Sequence, residues 1–321
     1  MHLIDMHCDT AGKILESKNG EGLYENSFDI DIKGMKQAGT MAQFFACFVY
    51  MERFQGEDRF EKAFSYAKQM AGKMREEVQK NSRDIAFAVN ADDILRNQEN
   101  GKISAILTVE EGGILNGDMG KLEELYKEGI RLITLMWNFE NCMGFPNSKD
   151  TGIMTKGLKS FGFETVERMN ELGMILDVSH MSDGGFWDVV SHSKAPVVAS
   201  HSSSRSLCNH PRNMTDEMLK ALGEKGGVAA VNFYPAFVRE NERAMREDLA
   251  AHIQHIVNVA GMDAVAIGTD FDGFTGGSLE IDKVEKMPIL YQELQRAGFT
   301  EGQIEKIWYR NAMRVIKDVM R

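Results

Sequence analysis

The chain has 321 residues, of which 43% are hydrophobic, and its 37 basic and 48 acidic side chains leave a formal charge of −11. That size and apolar content suit a single barrel-sized domain over residues 1–321 better than two small ones. The acidic balance argues against nucleic acid or an anionic membrane as partner, though it says nothing about a local site.

Strand-like apolar runs are expected at 3–6, 41–49, 103–109, 132–136, 174–178, 196–200, 228–233 and 264–268. Residues 18–27 carry Gly and Asn and read as loop, and 52–81 is the longest helix candidate. Within it, Phe60, Ala63, Phe64, Ala67, Met70, Met74 and Val78 recur at the spacing of an amphipathic helix. A short run at 85–89 would be a ninth strand and is read as an accessory to the barrel or part of the long connection after strand two. The closing helix carries Ile304, Ile307, Trp308, Val315, Ile316 and Val319, with Thr300 and Gln303 as a capping box at its start. Eight strands alternating with helical patterns favour a closed (β/α)8 barrel of TIM type, with functional groups on the C-terminal strand ends.

Those ends carry the chemistry. The first run finishes in His7-x-Asp9, and side chains two apart on a strand project together. Later runs finish in Glu111, His180, His201 and Asp270. The histidines and carboxylates His7, Asp9, Glu111, His180 and His201 exceed what one four-coordinate catalytic zinc needs, but suit two divalent ions sharing a bridging carboxylate. A binuclear hydrolase is the expected result, with hydroxide available near neutral pH and Asp270 placed to move a proton to the leaving amine. Glu110 is as acidic as Glu111, and a register slip of one exchanges them; Glu111 is the preferred ligand. Asp5 shares parity with His7 and Asp9, and is expected to orient a ligand imidazole from deeper in the strand. His2, His192, His252 and His255 read as ordinary surface or helix histidines, and His210 as a turn residue before Pro211.

Along nearly its whole length the chain resembles the membrane (renal) dipeptidases, a branch of the metal-dependent amidohydrolase superfamily. The resemblance rests on IDMHCD, GTMAQFFACFV, VEEGG, GIRLITL, LDVSH, SHSSSRSLCNHPRNMTDEML, GGVAAVNFYPAF, AIGTDFDG and NAMRVI. It implies a dipeptidase with two zinc ions bridged by Glu111, one held by His7 and Asp9, the other by His180 and His201. It further implies that Arg212 binds the free carboxylate of a dipeptide and that Asp270 transfers the proton. A planar guanidinium matches a carboxylate at two points, so the Arg212 role also makes physical sense. A C-terminal D-residue is compatible with the family.

One departure stands out. After strand four the renal branch carries a histidine that steadies the oxyanion, whereas this chain reads Trp137-Asn138. Asn138 or the metal is then the expected oxyanion stabiliser, and Trp137 a residue at the pocket rim. Hydrolysis of a lactam, lactone or cyclic amide would use the same metals and is the alternative activity; a metal-holding binding protein with weak catalysis is a more distant one. Cys8, Cys47, Cys142 and Cys208 have no CxxC spacing and read as reduced thiols. With a first strand near residue 1 and a polar terminal helix, a soluble cytoplasmic protein without membrane contact is expected, acting on small-molecule dipeptides and compatible with a homodimer.

Overall fold

Eight parallel strands close on themselves in the computed structural model, which describes residues 2–321. They are Leu3–Cys8, Thr40–Phe48, Ile103–Glu110, Ile130–Thr134, Ile175–Asp177, Val198–Ala199, Val228–Val231 and Val265–Ile267. Each pairs with the next, and Asp5 opposite Ile267 completes the ring. Helices cover the outside, so most strand residues are buried on both faces and the runs read as continuous rather than alternating. Ile4, Met6, Phe44, Ile106, Leu132 and Ile175 fill the interior, while Phe45, Leu107, Val109 and Leu176 pack outward with the helices.

The run at 85–89 is indeed an accessory: Ile85–Phe87 pairs only with the first half of the third barrel strand, from Ile85 opposite Ile103 to Phe87 opposite Ala105. The fourth barrel strand takes over that edge from Leu107 onward. The long helix runs over Arg59–Lys80, shorter than expected, because a 3-10 turn at Met51–Arg53 and the turn at Gly56 precede it. The capping box at Thr300 and Gln303 is present, but the terminal helix passes through a π-helical turn at Lys306–Arg310. Among the described residues, no helix is long and apolar enough to cross a membrane.

Two features of the first strand position the site. Between Asp5, opposite Gln43, and Cys8, opposite Phe45, the first strand advances three residues while its neighbour advances two. Such a bulge reverses the parity of the residues beyond it, so His7 is not in phase with Asp5. The seam with the last strand is then tied beyond the ladder: Asp270 N donates to His7 O (3.1 Å) and Asp9 N to Phe271 O (2.9 Å). Thr10 Oγ1 donates to Asp272 Oδ2 at 2.6 Å, and Asp5 accepts from Thr269 through both its backbone N–H (2.9 Å) and its hydroxyl (2.7 Å).

His252 lies on the helix Arg246–Ala260, one of the two expected placements, and is a buried strut. Its Nδ1 accepts from Ser204 N (3.1 Å) and its Nε2 donates to Val238 O (2.9 Å), joining the loops after strands six and seven. Burial holds its pKa below the ordinary value, outweighing the bond to Val238. The unfolded chain therefore takes up a proton that the folded chain refuses, and this contribution to stability is full at neutral pH and falls as pH drops below about 6.5. Urea unfolding of the parent and His252→Gln between pH 7 and 5 should show the parent losing stability more steeply, by up to about 1.4 kcal/mol per pH unit. Parallel curves would remove His252 from this account.

Candidate metal centre

At the C-terminal end of the barrel, three imidazoles and three carboxylates converge. His7 Nε2 lies 3.3 Å from Asp9 Oδ2, 3.4 Å from Glu110 Oε2 and 3.7 Å from Asp270 Oδ1. On the other oxygen of the same glutamate, Glu110 Oε1 lies 3.0 Å from His180 Nε2 and 3.5 Å from His201 Nε2. His180 and His201 face each other through Nε2 at 3.0 Å. All six side chains are buried.

His180 and His201 are oriented by neighbours that occupy the other ring nitrogen. His201 Nδ1 bonds Ser200 Oγ (2.7 Å), which itself donates to Asp177 Oδ2 (2.5 Å). Asp177 is fully buried and also accepts from Thr134 Oγ1 (2.7 Å), Ser179 N (2.9 Å) and Ser200 N (2.8 Å). His180 Nδ1 bonds Asn138 Oδ1 at 2.9 Å. A proton on each Nδ1 leaves each Nε2 with its lone pair toward the cluster. Asp270 is held through Oδ2 by Asn232 Nδ2 (2.9 Å). His180 and Asp270 sit at positive φ, 67° and 62°, so the chain turns sharply as it leaves strands five and eight. Non-glycine residues rarely adopt that conformation, and it aims both side chains back over the barrel mouth.

Of the residues singled out from sequence, His7, Asp9, His180, His201 and Asp270 come together, and Glu111 does not. The third strand ends at Glu110, in phase with the interior residues Ile106 and Thr108, whose neighbours across the sheet, Phe44 and Leu132, also point inward. Glu111 comes next at φ 86° and turns away. Its carboxylate accepts from Gly113 N (2.7 Å), Asn141 Nδ2 (2.7 Å) and Trp137 N (3.1 Å), so it organises the loop after strand four. The expectation of Glu111 at the centre is therefore corrected: the glutamate that joins the cluster is Glu110. Asp5 is corrected too: it accepts from Thr269 and the His7 backbone, because the bulge separates it from the His7 ring. Burial raises the pKa of both glutamates to about 7 and of Asp270 to about 6.

A cleft of about 260 Å³ opens above the cluster, lined by Asp9, Glu110, His180 and Asp270 with Trp137, Asn138, Tyr234 and Phe237. The Trp137 ring packs 4.9 Å from Phe48 and 5.4 Å from Tyr50, forming one wall. Arg212, 4% exposed, is tied to the cluster by its bonds: its Nη1 donates to Ser202 Oγ (2.6 Å) and Nη2 to His201 O (2.9 Å), while its Nε has no partner among the described residues. The next residue, Asn213, ties the surrounding loops together, donating to the carbonyls of Cys208 (2.9 Å) and Phe237 (2.8 Å).

The residues fit divalent metal. Among the described residues, Asp9 Oδ1 and His7 Nδ1 are buried without a partner, and no lysine or arginine pairs with the three carboxylates. A Cβ at Gly273 would stand 2.3 Å from Asp9 Oδ2 and 2.4 Å from Asp270 Oδ1, so glycine there keeps the space between them open. Imidazole nitrogens and carboxylates are the donor set for zinc-like ions.

Comparison with known proteins gives the family. The family model described as membrane dipeptidase (peptidase family M19) matches residues 1–321. A dipeptidase of Schizosaccharomyces pombe, described as uncharacterised, is 36% identical over 296 residues, covering 89% of this chain and 71% of that protein. An uncharacterised protein of Klebsiella pneumoniae, encoded in the pqqA 5′ region, is 36% identical over 245 residues, covering 73% and 89%. The crystal structure of dipeptidase AC, a family M19 metallopeptidase, superposes with a TM-score of 0.90 at 27% identity, covering 100% of this chain and 99% of that one. A metallopeptidase from Rhodobacter sphaeroides, liganded with a phosphinate mimic of the dipeptide L-Ala-D-Ala, gives 0.88 at 26% identity, covering 99% of each. The chain belongs to the membrane dipeptidase family, peptidase family M19, and is a metal-dependent dipeptidase.

Proposed function

We propose that the chain hydrolyses free dipeptides with two divalent ions, most simply zinc, shared through Glu110. The observation that carries this is the division of the Glu110 carboxylate, with Oε2 toward His7 and Asp9 and Oε1 toward His180 and His201. Bound in such a site, a pair of ions supplies a Lewis acid and a water nucleophile at neutral pH.

The chain's own residues do the rest. Arg212, charged and buried, clamps the terminal carboxylate, and its unpartnered Nε and planar guanidinium favour a two-point match. Asp9 suits the substrate's free amine. Asp270, steadied by Asn232, takes a proton at Oδ1 and returns it to the leaving nitrogen. Asn138 orients His180 through its carbonyl oxygen and lines the cleft, and its NH2 group serves in this proposal as the donor to the developing oxyanion. A site that fixes both termini measures length and favours dipeptides. Acceptance of a C-terminal D-residue belongs to this proposal, supported by the mimic bound to the Rhodobacter enzyme. A cytoplasmic location is likewise proposed, supported by four cysteines that form no disulfide.

Elemental analysis of the zinc-reconstituted protein should give a ratio close to two ions per chain, and the same protein should cleave Ala-Ala while leaving its amide almost untouched. A ratio near one at full activity would overturn the shared-carboxylate reading. Equal turnover of the amide would overturn the Arg212 clamp.

A further inference from the structure

A second cleft, of about 250 Å³, adjoins the first on the Arg212 side and shares Asn138 and Phe237 with it. Among the described residues its charged lining is of one sign: Lys149 and Arg212, with no carboxylate. Nearby acidic groups are committed elsewhere, since Asp183 forms a bidentate pair with Arg205 (2.8 Å on both oxygens) and Asp150 accepts from Gly152 N (2.8 Å) as the cap of a short helix. Lys149 itself makes no ion pair among the described residues, unlike Lys159 only ten positions on, which binds Glu140 at 2.7 Å.

Two polar groups beside Lys149 are donors as well, whereas Asn147 spends its NH2 on Asn138 Oδ1 (3.4 Å) and His180 O (3.1 Å). His210 Nδ1 accepts from Arg212 N (3.2 Å), which places the ring proton on Nε2 and leaves that N–H to give. Ser148 Oγ accepts from Asp150 N (3.0 Å) and keeps its own proton to donate. The cleft on the far side of the metal cluster is different: Lys13 and Arg53 share it with Asp9, Glu16 and Asp272, and Arg53 is paired with Glu16. The two sides of the site therefore differ in charge.

We propose that this cleft receives the side chain of the substrate's C-terminal residue, and that Lys149 makes the enzyme prefer dipeptides ending in glutamate or aspartate. The inference rests on the Arg212 clamp: a substrate held there by its terminal carboxylate has its last side chain on the Arg212 side. One carboxylate meeting a free ammonium and two neutral donors gains charge-assisted hydrogen bonds that an amide of the same shape does not. Lys149 is a specificity residue and takes no part in the chemistry.

The test uses zinc-reconstituted enzyme and kcat/KM for Ala-Glu, Ala-Gln, Ala-Lys and Ala-Ala, each with the last residue in L and D form. Ala-Glu should exceed Ala-Gln by about tenfold, the scale of one charge-assisted hydrogen bond. Lys149→Glu should erase that ratio and raise Ala-Lys, with Ala-Ala changed by less than about threefold. Lys149→Ala should erase the ratio without favouring Ala-Lys. Equal rates for Ala-Glu and Ala-Gln in the parent, with Ala-Ala cleaved normally, overturn the inference and leave the dipeptidase reading standing. No turnover of Ala-Ala overturns that reading, and the inference with it.

Discussion

Glu110→Gln should strip the centre of metal, whereas Glu111→Gln should keep it. An amide presents one oxygen and one NH2, so it cannot offer an acceptor both to the His7–Asp9 side and to the His180–His201 side. Losing a neighbour that merely orients a ligand costs about 10- to 100-fold in metal affinity; loss of the shared ligand should exceed that, and activity should fall with it. Glu111 accepts from Gly113, Asn141 and Trp137 and touches none of the six clustered side chains. Its amide variant puts one donor against donors, loosening the loop that carries Trp137 and Asn138, so KM should rise while metal content stays. Elemental analysis separates the two variants. Metal retained in Glu110→Gln and lost in Glu111→Gln would restore Glu111 as the ligand.

Asp270→Asn should lower kcat by about 10² to 10⁴, the range of a general acid–base residue, with metal content unchanged. The amide keeps the size of the carboxylate but cannot take a proton at Oδ1. Steady-state kinetics alongside metal analysis decides between two roles, because Asp270 Oδ1 is also within 3.7 Å of His7 Nε2. Full turnover with reduced metal would make Asp270 a ligand rather than a proton carrier. Asp272 serves as the comparison: it sits two residues on, at φ 68°, but its oxygens are taken by Thr10 and by Asp29 N. Asp272→Asn should therefore act on stability more than on turnover.

The barrel and five of the six clustered side chains are legible in the sequence because strand ends put ligand-type residues in a recurring place. Parity is not. The segment from Ile103 to Val109 is buried on both faces, so hydrophobicity alone gives no phase. The polar residues do carry a weak signal: Ser104, Thr108 and Glu110 share one parity, the interior one. At the first strand the same argument fails for Asp5, since a bulge leaves no trace in residue type. His180 and Asp270 can be found despite their left-handed backbone, because their identity points to them whatever the geometry. Asp177 looks like an ordinary strand residue in the sequence, yet it fixes His201 through Ser200. Asn138, expected to face the oxyanion alone, holds His180 as well.

The seam between the first and last strands sets the order in which this protein becomes an enzyme. His7 and Asp9 stand on one side of it and Asp270 on the other, and the bond from Thr10 to Asp272 spans 262 positions of chain. Contacts so far apart in sequence form late, after the loop-closure entropy has been met by everything between them. On a ribosome the first strand must wait, unpaired on one edge, until the eighth has emerged. A partly assembled barrel can already gather Glu110, His180 and His201, which lie on strands away from the seam. Ion uptake at that half can thus precede closure, while catalysis cannot. In refolding, metal binding and recovered activity should accordingly emerge as separate phases, activity last.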